Sequence, residues 1–179
     1  MAQTSTTLIS AKSHITSITG TDISLSATSG VYTISATSTI LTGAGKLAVG
    51  DLITVSGSAS NNSTFTVNTV VSTTELTVAE VVTSENADGS STITLDHVGF
   101  VSDKAKGDGY YSQPDGVHTV AYQVANDFNA DATIKMQGTL ATTPTEDDWF
   151  DIANTTFTSD TSTLTSSFNF TGNYVWVRS

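Results

Sequence analysis

The chain has 179 residues and a formal charge of -11, from 6 Lys and Arg against 17 Asp and Glu, with 37% hydrophobic residues and no cysteine. The apolar share suffices to bury a core, the charge repels a nucleic-acid backbone, and the lack of thiols excludes disulfides, thiolate metal sites and cysteine nucleophiles. Serine and threonine are abundant while good helix formers are scarce, which predicts a nearly all-β chain because β-branched threonine suits solvent-facing strand positions.

Residues 1–30 read as an N-terminal arm and lead-in strand. Met1–Gly20 is Ser/Thr-rich, with isolated apolar positions at Leu8, Ile9, Ile15 and Ile18. These cannot make a core alone, and the functional expectation is a segment that adds a strand to a neighbouring subunit. The start has no basic region followed by an apolar stretch, and no apolar run approaches the roughly 18 residues of a membrane span. No secretion signal and no membrane partner are expected.

Residues 31–98 are expected to form a small antiparallel β-barrel. Turn signals at Gly43-Ala44-Gly45, Gly50-Asp51, Gly57 to Asn62, Ser72 to Thr74 and Glu85 to Ser90 separate short runs of alternating polarity. Phe65, Val67, Thr69 and Val71 share one face, as do Leu76, Val78, Glu80 and Val82. Closure would remove the edges that an open meander exposes. Gly43-Ala44-Gly45-Lys46 lacks the spacing of a phosphate loop and reads as a turn.

Residues 99–116 change composition, with glycines, a proline and Tyr110-Tyr111, and are expected to be a linker or long loop. The tyrosine pair is expected to cover the edge of a neighbouring core; the alternative is an exposed recognition pair.

Residues 117–179 are expected to form a β-sandwich, jelly-roll-like domain. His118, Val120, Tyr122 and Val124 alternate with Thr119, Ala121 and Gln123, and Ala132, Ile134, Met136, Gly138 and Leu140 alternate with Thr133, Lys135, Gln137 and Thr139. Thr143-Pro144-Thr145-Glu146 has the capping-box pattern and predicts about one helical turn. Trp149, Phe150 and Ile152 are expected to anchor the core. Tyr174 and Trp176 are expected to share a face of a last strand that has no obvious partner.

No catalytic chemistry is expected. The bases His14, His97 and His118 stand outside any motif, and the two later ones read as strand residues. Glu146, Asp147, Asp148 and Asp151 are close in sequence, as acid pairs and Ca²⁺ sites require, but on one turn their side chains diverge. The expectation is no catalytic, cofactor-binding or metal-binding residue, and no cofactor.

Two runs carry a family resemblance. GKLAVGDLITVSGSASNNSTFTVNTVVSTTELTV (Gly45–Val78) resembles a small β-barrel module of virion proteins of tailed bacteriophages, in which a Gly-Asp turn leads into a Val-Ser-Gly strand and an Asn-rich turn precedes Thr-Phe-Thr-Val. His118–Ile152 with Phe168–Ser179 is similar to a β-sandwich module in structural proteins of marine tailed phages, sharing Gln-Gly-Thr-Leu, Asp-Trp and the Gly-Asn-aromatic-Val-Trp strand. The resemblance implies a non-enzymatic virion part, whether capsid decoration, neck, tail or fibre, assembled in the host cytoplasm. Its partners would be copies of itself, with a trimer expected, and other virion proteins such as capsid or tail proteins. The alternative is a carbohydrate-binding or host-surface adhesion module in which Tyr110, Tyr111 or Tyr174 stacks on sugars.

Overall fold

The computed structural model describes residues 5–9, 12, 15–111, 116–124, 133–158 and 164–179, and every element longer than four residues among them is a β-strand. The chain divides into two compact units, residues 14–101 and residues 102–179, the latter including the start of the chain.

Seven strands build the first unit: β1 (Ile18–Gly20), β2 (Ile23–Thr28), β3 (Val31–Ala36), β4 (Asp51–Ser56), β5 (Thr64–Ser72), β6 (Glu75–Val78) and β7 (Ile93–Phe100). They form one antiparallel sheet in the order β1-β7-β4-β5-β6-β3-β2. The period-two pattern delivers Ile23 and Leu25, Ile53 and Val55, Phe65 and Val67, Leu76 and Val78, and Ile93 and Leu95 to a single core, joined by Ile18 and Ile34. Because β1 and β2, the two ends of the sheet, feed the same core, the sheet curls around it. The ladder nevertheless stays open, since β1 and β2 are not paired, and this corrects the expected closed barrel.

The free edge of β2 is covered in another way. Leu25 N–H donates to the Glu85 carbonyl at 2.9 Å and Glu85 N–H returns to the Leu25 carbonyl at 2.8 Å, so a loop residue satisfies part of the edge. Ser29 (φ 52) and Gly30 (φ 79) turn β2 into β3 with the paired positive φ of a two-residue hairpin loop.

Register shifts interrupt the alternation on β5 and β7. On β5 the pairing with β6 slips twice, between Val67 and Thr69 and between Val70 and Ser72, and Val70 and Val71 are 44% and 56% exposed. On β7 the pairing with β4 passes from Gly99↔Leu52 to His97↔Ile53, leaving Val98 as the extra residue. His97 continues the inward row of Ile93 and Leu95, and its Nε2 lies 3.7 Å from Oδ1 of buried Asp51 while its Nδ1 accepts from Ile15 N–H at 3.5 Å.

Gly99–Gly116, expected as a linker, contributes to three elements among its described residues. Gly99 and Phe100 complete β7, Ala105–Lys106 is strand β8, and Asp108–Tyr111 is a 3₁₀ turn. The second unit continues with β9 (Val117–Val124), β10 (Thr133–Ile134), β11 (Gln137–Thr139), a 3₁₀ turn (Glu146–Asp148), β12 (Phe150–Asp151), β13 (Phe157–Thr158), β14 (Leu164–Thr171) and β15 (Trp176–Arg178). Among the described residues these strands make a four-stranded sheet, β12-β11-β15-β8, and two ribbons, β9-β14 and β10-β13. Met136, Ile152, Phe170 and Val177 form the core, with Leu8, Ala105, Val120, Phe168 and Tyr174 against it.

Several expectations are corrected here. The last strand is fully partnered, since β15 pairs with β11 on one side and β8 on the other. Leu8, in the arm, packs against this same core. Trp149 is only half-buried and Phe150 is 45% exposed, leaving Ile152 alone of that trio in the core. Of the alternation expected through 132–140, the described residues keep it at Met136 and Gly138 and break it where β11 ends: Thr139 is buried and Leu140 is 66% exposed.

Candidate functional site

The outer face of the four-stranded sheet carries a group of charged and aromatic side chains. Since Val177, Ala105 and Gly138 are register partners whose row faces the core side, the neighbouring positions Trp176, Arg178, Lys106 and Gln137 face away from it. Lys106 is directly opposite Trp176, and Gln137 lies between Arg178 and Asp151.

One half of this face is a closed polar network. Arg178 donates from Nε to Gln137 Oε1 at 2.9 Å and through both terminal nitrogens to the Glu146 carboxylate at 3.1 and 2.9 Å. This is the bidentate geometry that a planar guanidinium favours. Its carbon sits 4.2 Å from the Trp149 ring centroid, so the indole covers the cation instead of filling the core. Gln137 Nε2 and Lys135 Nζ both donate to Asp151, at 2.9 and 2.6 Å. The lysine first and the amide second hold the Asp151 carboxyl below its ordinary value.

The other half is aromatic and cationic. Tyr110 and Tyr111 are 44% and 55% exposed, so the pair forms an open surface and does not cover a core edge as expected. The Tyr110 ring lies 5.2 Å from that of Tyr111 and 5.0 Å from that of Trp176. Lys106 Nζ stands 4.1 Å from the Tyr110 centroid and 5.8 Å from that of Tyr111, and Lys104 Nζ stands 4.8 Å from the Trp176 centroid. Trp176 is held in place by its indole N–H, which donates to the Thr142 carbonyl at 3.0 Å. Tyr174 does not share this face: it precedes β15 and turns to the core, where its ring fills the space that a side chain at Gly138 or Gly172 would need.

The acidic run disperses. Asp148 accepts from Thr145 N–H at 2.7 Å and Thr145 Oγ at 2.8 Å, which places the cap two residues later than expected and leaves Glu146 free to reach Arg178. Those two bonds, the backbone one first, hold the Asp148 carboxyl below its usual value. Among the described residues no three His, Asp or Glu side chains gather as a metal site. Of the histidines, His118 stacks on Phe170 at 4.8 Å and its Nε2 lies 3.2 Å from the Gly172 carbonyl, His97 faces Asp51, and His14 lies outside the described residues.

Sequence reasoning passed over Lys104, Lys106, Trp149 as a cation cover, and the Asp51–His97 pair. The lysines were discoverable in part, since Lys104-Ala105-Lys106 followed by Tyr110-Tyr111 puts two cations and two phenols within eight residues of sequence. Compared with protein-family models, curated proteins and solved structures, the chain matches none.

Proposed function

We propose that this chain is a non-enzymatic structural component of a tailed-phage particle, acting by β-rich assembly with copies of itself and with other virion proteins. The observation that carries the assembly reading is the β9-β14 ribbon. Its two eight-residue strands pair, among the described residues, only with each other. A long two-stranded ribbon with free outer edges is marginal by itself and a ready template for a further strand. Val117, 60% exposed, adds apolar surface beside it. The two phage-like sequence runs support the particle context. The carboxylates argue in the same direction: Asp22, Glu80, Glu85, Asp148 and Asp151 accept specific hydrogen bonds from turns and strands, a structural use of the groups that acid–base chemistry would need.

Sedimentation of the full chain at low and high salt tests the proposal. Subunits of charge -11 repel over roughly 8–10 Å at physiological salt, so association through main-chain and apolar contacts persists or strengthens as salt rises. The double variant Ala121→Lys with Gln123→Lys, at exposed β9 positions, is expected to dissociate it. A wild-type monomer at high micromolar concentration in both salts would overturn self-assembly.

A second reading, a host-surface adhesion module, is favoured by one observation: the exposed Tyr110 and Tyr111 cluster with half-buried Trp176 and two lysines.

A further inference from the structure

We propose that Lys104, Lys106, Tyr110, Tyr111 and Trp176 form a binding site for an acidic saccharide, one whose sugar ring carries a carboxylate. The proposal rests on the adhesion reading and deepens it by naming the ligand class.

The cations are the starting point. Lys135 pairs with Asp151 at 2.6 Å and Arg178 with Glu146 at 2.9 Å. Among the described residues, Lys104 and Lys106 lie against aromatic faces and within ion-pair distance of no carboxylate, although the chain has 17 acids. A ring face attracts an ammonium through its quadrupole but accepts no ordinary hydrogen bond, so the N–H donors remain for an acceptor from outside. The β8-β15 register sets Lys106 opposite Trp176, which builds the cation and the ring into one sheet. The site is therefore positioned before any ligand arrives.

Shape selects the ligand. The Tyr110 ring is inclined 58° to Trp176 and 74° to Tyr111, so the rings make separate facets, each one sugar ring wide, instead of a flat platform. A pyranose with a carboxylate matches this in one unit: its C–H face rests on the exposed Tyr111 ring and its anion reaches Lys106 or Lys104. A nucleic acid carries its stacking base and its phosphate charge on separate groups, so it does not offer ring face and anion in one unit as a carboxylated pyranose does. An acidic peptide carries its carboxylates on flexible stems with no ring face to rest on Tyr111, and β8, two residues long, offers little main chain to pair with.

Titration calorimetry of the full chain with oligogalacturonate, a neutral maltooligosaccharide of equal length, an oligoglutamate peptide and oligodeoxythymidylate tests the proposal. The expected result is binding of oligogalacturonate alone, weakening as salt rises. Lys104→Gln with Lys106→Gln should weaken it roughly tenfold, Tyr111→Ala should weaken it comparably, and Lys104→Arg with Lys106→Arg should restore it. These side chains are exposed, and an unchanged melting temperature shows that each variant folds. Equal binding of the neutral sugar, or indifference to the lysine changes, would overturn the acid specificity while leaving adhesion standing. Binding of no saccharide would overturn both, and preference for oligoglutamate or DNA would assign the patch to a different partner.

Discussion

Glu85 joins two distant parts of the first unit, and neutralising it is a direct test of how that unit is held. Its Oε2 accepts from Ser58 Oγ at 2.5 Å, Asn61 Nδ2 at 3.1 Å and Ser60 N–H at 3.3 Å, and its Oε1 accepts from Ala59 N–H at 2.8 Å. Its backbone meanwhile pairs with Leu25. Glu85→Gln keeps the size but offers one acceptor oxygen and turns an NH₂ group toward the remaining donor. If the oxygen stays on the Ser58 side, Ala59 N–H loses its acceptor and the remaining bonds lose their charge. Hydrogen bonds to charged groups contribute about 1.5–3 kcal/mol each and neutral ones about 1, and partial solvent exposure reduces the difference, so the net loss is about 2 kcal/mol. For a unit of this size that lowers the melting temperature by roughly 8–16 °C.

The pH dependence supplies the sharper signature. The Glu85 carboxyl is held below its ordinary value, first by the Ser58 hydroxyl and then by the Ala59 amide. The unfolded chain therefore takes up the proton first as acid is added. The stabilisation is complete above the ordinary carboxyl value and is lost as pH falls through the lower folded value. Thermal unfolding of both proteins from pH 7 to pH 3 should show a gap that narrows toward acid. A wild-type melting temperature in the variant at pH 7, or a gap of constant size, would refute the reasoning.

Two further substitutions separate packing from surface contact. Met136→Ala, at a site 1% exposed, should cost about 2–5 kcal/mol in urea unfolding, whereas Trp149→Ala should cost less than half as much because it removes a half-buried ring over Arg178; equal losses would return Trp149 to the core. Gly57→Ala should destabilise the first unit by about 1–3 kcal/mol, since Gly57 has φ 78 and an added Cβ would meet the Thr92 carbonyl oxygen, and an unchanged urea midpoint would contradict that backbone geometry.

The all-β class and most core positions were legible because period-two alternation is a local property of sequence. Ile53, Val55, Phe65, Val67, Leu76 and Val78 all lie where alternation puts them. Legibility failed where the register slips, as at Val71, which lies at the second of two β5 shifts, because a bulge depends on the partner strand. Trp149 misled for another reason. Aromatic size predicts burial, but Arg178 lies 29 residues later, and its stacking on the indole is a tertiary contact with no local mark. For the candidate site, Tyr110 and Tyr111 were visible in the sequence, while the β8-β15 register that sets Lys106 against Trp176 was not.

The two compositional oddities of the chain, excess acid and excess hydroxyl, account for each other. Asp22 accepts from Thr37, Ser38 and Thr39, Glu80 from Thr66, Glu85 from Ser58, and Asp88 from Ser90 and Ser91. In Asp22 and Asp88 such bonds, led by the Thr39 and Ser91 hydroxyls, hold the carboxyls well below the usual carboxylate range. A hydroxyl or amide beside the carboxylate in a turn supplies what a cation supplies elsewhere, without the entropy of fixing a long side chain. Acids satisfied in this way do not require the few cations as partners. That leaves Lys104 and Lys106 to stand on aromatic rings in a chain whose overall charge would otherwise claim them.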